Sequence, residues 1–123
     1  MATVPATRPE PGVGGEWDGV FRYQWTLAAG DDGAPVVLPR HADRSVQVTG
    51  AFDGGSLRIE GSIDGDTYAP VTDPQGNDIA ISAYPAGYSS KIEAVSEATV
   101  AIRPRVVGGG ASTALVITVL CRS

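Results

Sequence analysis

The stretch LRIEGSIDGDTYAPVTDPQGND, residues 57–78, decides the fold. Its acidic side chains, Glu60, Asp64, Asp66, Asp73 and Asp78, together with Asn77 and the glycines, can be read as a metal loop or as two turns around a short strand. Calcium prefers such oxygen ligands. An EF-hand, however, needs ligands at alternate positions and a glutamate at the twelfth, and calcium rolls need glycine-rich nonapeptide repeats. Neither pattern is present. Asp64-Gly65-Asp66 and Asp73-Pro74-Gln75-Gly76-Asn77-Asp78 have the chemistry of turns instead: aspartate bonds its own backbone, proline fixes φ and glycine supplies a positive φ. Residues 68–71 between them carry Pro70, which suits an edge strand because a missing N–H costs nothing there.

Upstream of this stretch, residues 45–52 alternate with period two and put Val46, Val48 and Phe52 inward. Asp53-Gly54-Gly55 then turns the chain into residues 57–63, a hairpin signal, with Leu57, Ile59 and Ile63 on one side and Arg58, Glu60 and Ser62 on the other. Residues 20–27 place Phe21, Tyr23, Trp25 and Leu27 on one face of another strand, which the Gly30-Asp31-Asp32-Gly33 cluster ends. Residues 79–83 and 88–95 are weaker strand candidates. Residues 100–106 and 113–120 form the last two strands, joined through Gly108-Gly109-Gly110, and Pro104 favours an edge position for the first of them. Short strands with turns about every ten residues predict an all-β fold, an antiparallel β-sandwich or jelly roll.

A chain of 123 residues is the size of one domain, and 16 Gly and 9 Pro with 42% hydrophobic residues suit a turn-rich globular fold. Residues 1–16 contain Pro5, Pro9 and Pro11 without hydrophobic periodicity, so they read as an extended N-terminal arm, with the sandwich domain at 17–123 starting near Trp17. The formal charge of −5 argues against nucleic acid as a partner, since phosphate binding needs a clustered excess of Lys and Arg. No apolar run reaches the roughly 20 residues that cross a bilayer, and the N-terminal segment lacks the apolar middle of a signal peptide, so neither membrane insertion nor export is expected. Cys121 is the single cysteine and allows no internal disulfide.

Catalytic chemistry finds little support in the residue types. Cys121, the lone His41 and Asp43 could be drawn as a triad, but Cys121 continues the apolar face of Leu115, Ile117 and Val119, where a cysteine is a small buried hydrophobe. No serine elbow, phosphate loop or dinucleotide motif is present. We therefore expect no enzyme activity, no catalytic residues, no metal and no cofactor. Trp17, Tyr23, Trp25, Tyr68, Tyr84 and Tyr88 could stack on sugars; Tyr23 and Trp25 fall on a core face, which leaves Tyr84 and Tyr88 as exposed candidates. On the strand 113–120, Val116 and Leu120 make the second face apolar as well, so either another element of the chain or a neighbouring copy covers it. Arg103 and Arg105 share the face opposite Ile102, and arginine's planar fork suits interface ion pairs. The interface candidates are accordingly Arg103, Arg105, Val116, Leu120, Tyr84 and Tyr88.

The succession SVQVTG, the GS-DG-T turn at residues 61–67, DPQGN, and IRPRV followed by glycines before the final strand resembles small virion proteins of tailed bacteriophages, over residues 44–122. Tyr68 stands where that family would have tryptophan. The resemblance implies a non-enzymatic capsid decoration or cement protein, often a homotrimer, that clamps the major capsid protein on the surface of a virion assembled in the bacterial cytoplasm. The GS-DG-T element is also similar to one in discoidin-like carbohydrate-binding sandwiches, so a glycan-binding or tail-associated module is the alternative.

Overall fold

The computed structural model describes residues 2–8, 20–38 and 43–122. Trp17, His41 and residues 9–16 of the expected arm lie outside the described residues. The strands are β1 (Thr3–Val4), β2 (Val20–Leu27), β3 (Asp32–Gly33), β4 (Val36–Val37), β5 (Asp43–Ala51), β6 (Gly55–Ser62), β7 (Ala69–Pro70), β8 (Ala80–Ile81), β9 (Ser90–Val95), β10 (Ala101–Gly108) and β11 (Ala114–Arg122). They form the expected all-β sandwich. A seven-stranded sheet runs β1-β3-β10-β6-β7, with β4 also on β10 and β8 also on β6, and a four-stranded sheet runs β2-β11-β5-β9.

Period-two alternation fills the space between the sheets. Trp25 and Leu27 of β2, Val46 and Val48 of β5, Leu57 and Ile59 of β6, Ile102 and Val106 of β10, and Leu115, Ile117 and Val119 of β11 are all buried there. Trp25 also donates its indole N–H to the Ala34 carbonyl at 3.0 Å. Gly33 makes this packing possible, because a Cβ there would lie 2.6 Å from the Pro104 ring and 2.9 Å from the Trp25 indole.

The sequence-based hairpin is not formed. β5 belongs to the four-stranded sheet and β6 to the seven-stranded one, so residues 52–55 make an arch between sheets. Gly108-Gly109-Gly110 joins β10 to β11 in the same way. A tight glycine turn between two alternating strands is the same local signal whether the second strand pairs with the first or crosses to face it. The two arches bond each other: the Thr113 hydroxyl donates to Phe52 O at 2.9 Å and the Ser112 N–H donates to Asp53 Oδ2 at 2.9 Å.

Two further expectations are corrected. Pro104 lies in a central strand, not at an edge. Val106 N–H donates to Asp31 O and Val100 O accepts from Leu38 N–H, so alternate residues of β10 face β3 and β4, and the missing N–H of Pro104 falls between these two short neighbours. Ser62 is buried and Ile63 exposed, the reverse of strict alternation, because β6 ends at Ser62 and the Asp64 turn carries Ile63 out of the sheet. Residues 2–8 are held by their own domain. β1 pairs in parallel with β3, Ala34 N–H donates to Val4 O, and Thr7 exchanges both backbone bonds with Gln24 of β2. This segment touches an edge of each sheet.

Arg44 is the large buried polar side chain of the core, 2% exposed. It faces inward from β5 beside Cys121, and burial lowers its pKa from the ordinary arginine value. Its guanidinium donates to Thr99 Oγ1 at 2.6 Å, to Leu38 O at 2.9 Å and to Thr99 O. Those bonds tie the ends of β4 and the β9–β10 connection to the four-stranded sheet. Arg44→Leu removes the donor from three acceptors and should lower stability by about 2–4 kcal/mol, read as a lower urea midpoint; a midpoint equal to wild type overturns this role. Deleting residues 1–8 should cost about 1–2 kcal/mol, a fall in melting temperature of roughly 3–8 °C; an unchanged melting curve means that the segment contributes nothing to the isolated domain.

Candidate interaction surface

The residues singled out in the sequence fall on separate parts of the sandwich. Arg103 and Arg105 project from the outer side of β10. Arg103 meets Glu60 of β6 with both Nε and Nη2 at 2.9 Å and lies 4.1 Å over the Tyr68 ring, while Arg105 reaches Asp32 of β3 at 3.1 Å and Glu60 at 3.7 Å. Antiparallel register explains the match, since Arg103 pairs with Glu60 and Arg105 with Asp32. Both arginines thus have carboxylates within their own chain.

The tyrosines do not make one platform. Tyr84 donates its hydroxyl to Gly50 O at 2.6 Å, its ring lies 4.9 Å from that of Phe52, and burial raises its pKa from the ordinary tyrosine value. Tyr88 is 73% exposed on a turn closed by its own N–H to Pro85 O. Tyr68 is covered by Arg103 on one side. The sequence could not separate Tyr84 from Tyr88, because the Gly50 carbonyl that takes the Tyr84 hydroxyl is distant along the chain.

Val116 and Leu120 lie on the outer face of the four-stranded sheet. Register places them in rows across β2, β11, β5 and β9: Arg22, Leu120, Ser45 and Ala94; Gln24, Thr118, Gln47 and Ile92; Thr26, Val116, Thr49 and Ser90. Within this face Gln24 donates to Thr118 at 3.1 Å. Ile92 is 64% and Leu120 39% exposed. Ile92 was not a candidate in the sequence, because the short, partly charged β9 gave no clear alternation.

The paired acids and the thiol have structural partners. Asp64 Oδ1 accepts from the backbone N–H of Asp66 and Thr67 and from the Ser62 hydroxyl, each at 2.8 Å, and Asp73 Oδ1 accepts from Gln75 and Asn77 N–H. The opening stretch is two aspartate-closed turns around an edge strand. Among the described residues no group of three or more His, Cys, Asp or Glu is placed to hold a metal ion. Cys121 is buried with its Sγ 3.5 Å from Phe21 O, burial raises its pKa, and Asp43 pairs with Arg122 at 2.6 Å.

The chain is similar in fold to the SPBc2 prophage-derived protein YomS. The TM-score is 0.57 at 9% sequence identity, over 85% of this chain and 95% of that one. Lower scores join it to KdgF from Halomonas sp. (TM-score 0.46, 13% identity, 96% of this chain and 79% of that) and to a cupin domain from Bordetella pertussis Tohama I (0.44, 14%, 100% and 98%). No protein-family model matches the sequence, and no curated protein does.

The three hydrogen bonds that hold Asp64, led by that from Thr67 N–H, keep its carboxyl well below the ordinary value of 3.8. A depressed folded-state pKa stabilises the fold above the unfolded value, and the contribution is lost as pH falls through the folded one. Asp64→Asn keeps an acceptor without the charge, so the gap in urea midpoint between it and wild type should be widest above about pH 5 and narrow below 3.8. A gap that does not change with pH overturns the assignment.

Proposed function

We propose that this protein is a non-enzymatic structural component of a tailed-phage virion: a decoration protein that binds the major capsid protein as a homotrimer through the outer face of its four-stranded sheet. The observation that carries the reading is that face itself, where Ile92, Leu120 and Val116 stand among Thr, Gln and Ser on strands fixed by the core beneath. A rigid, mixed apolar and hydrogen-bonding surface suits protein contact, whose burial on association is the main favourable contribution. The phage setting is supported by the resemblance over residues 44–122 and by the prophage origin of YomS. Arg103 and Arg105 have a smaller part in this reading, because leaving Glu60 and Asp32 for a new carboxylate gains little.

Co-sedimentation with undecorated capsids tests the proposal. Wild type should pellet saturably with the particles, and Val116→Asp and Leu120→Asp, both outward-facing, should weaken retention about tenfold or more while leaving thermal unfolding close to wild type. Failure of wild type to bind capsids, together with glycan binding that depends on Tyr88, overturns it in favour of the carbohydrate-binding alternative. Light scattering at micromolar concentration should give the mass of a trimer, and a monomer there removes that part of the proposal.

A further inference from the structure

Ile63 is 77% exposed although the turn that carries it is closely tied by Ser62 and Asp64. It stands beside a groove of about 470 Å³ between residues 61–71 and the β9–β10 connection. Ala69, Pro70 and Val71 line its apolar part, and Asp64 and Glu97 are the ionisable groups on its walls. Among the described residues lining it there is no Lys or Arg. The back of the groove is firm: a Cβ on Gly61 would lie 2.8 Å from Thr99 and 2.9 Å from Val71, and Thr99 is held in turn by Arg44.

The edge of β7 limits what can enter. Val71 N–H donates to Ile59 O, so the adjacent Pro70 directs its backbone away from β6, where it has no N–H to offer. Strand addition is disfavoured, and insertion of a side chain is left. The lining combines aliphatic side chains with two carboxylates, which complements a side chain with a methylene stem and a cationic head.

We propose that this groove receives a single lysine or arginine side chain of a protein partner, its stem against Ile63, Ala69 and Pro70 and its cation against Asp64 and Glu97. The site is separate from the outer sheet face and does not depend on the capsid reading. Glu97 is already oriented, since its two oxygens accept from Thr72 N–H at 2.7 Å and from the Thr72 hydroxyl at 2.5 Å. Those bonds hold its pKa below the ordinary glutamate value. Both carboxylates are thus ionised at neutral pH without the ligand.

Methyl NMR on the full chain, titrated with blocked tripeptides carrying arginine, lysine, norleucine or glutamate at the centre, tests the assignment. Arginine and lysine peptides should give saturable shifts confined to the methyls of Ile63, Ala69 and Val71, with norleucine about fivefold weaker or more and glutamate inactive. Ile63→Ser and Glu97→Gln should each weaken the arginine response about threefold or more, and added salt should weaken it in wild type. No saturable shift at these methyls overturns the proposal. Equal responses to norleucine and arginine also overturn it, since the groove would then be an apolar notch without charge preference.

Discussion

The sandwich depends on two short arches bonded to each other. β5 passes to β6 at residues 52–55 and β10 to β11 at 108–113, so in each case two strands consecutive in sequence face one another across the core. The Thr113 hydroxyl donates to Phe52 O and accepts from Gly110 N–H, while Asp53 accepts from Ser112, which fixes one arch against the other. Tyr84 adds its hydroxyl bond to Gly50 and its ring contact with Phe52 at the same end. With the strand ends held, the inner rows interdigitate in one register, since a slip of one residue would turn each row outward.

At the opposite end Arg44 performs the corresponding task with a buried charge. A guanidinium in a core is costly unless its donors are used, and here backbone carbonyls and the Thr99 hydroxyl take them. The sheet edges are protected by different means. Pro70 removes an outward donor from β7, and Lys91 and Glu93 of the edge strand β9 are on its core-facing side and pair at 3.2 Å. On the other side β1 and Thr7 occupy the edges of β3 and β2. Addition of a further strand at these edges is therefore disfavoured.

The long strands were legible because alternation of apolar and polar residues is a local property; β2, β6, β10 and β11 match the sequence reading within a few residues. The turns around Asp64 and Asp73 were legible for the same reason. Sheet membership was not, since Asp53-Gly54-Gly55 serves a hairpin or an arch equally well. β1, β3 and β4 are two-residue strands whose pairing depends on distant partners, so no periodicity marks them. Of the candidate surface, Val116 and Leu120 could be placed by parity alone, whereas the intrachain carboxylates of Arg103 and Arg105 required knowing that β10 lies between β6 and β3. The exposed Ile63 escaped notice because a side-chain bond from Ser62 to Asp64 ends the alternation one residue early.

The position of β11 has a consequence for biogenesis. It follows both β2 and β5 in the chain, yet it lies between them in the four-stranded sheet, and nearly its whole length pairs on both sides. During synthesis β2 and β5 leave the ribosome with the seam between them unfilled, exposing Trp25, Val46 and Val48 until Leu115, Ile117 and Val119 arrive. Closure of the four-stranded sheet therefore waits for β11, and the nascent chain passes through an interval in which chaperone capture competes with self-association.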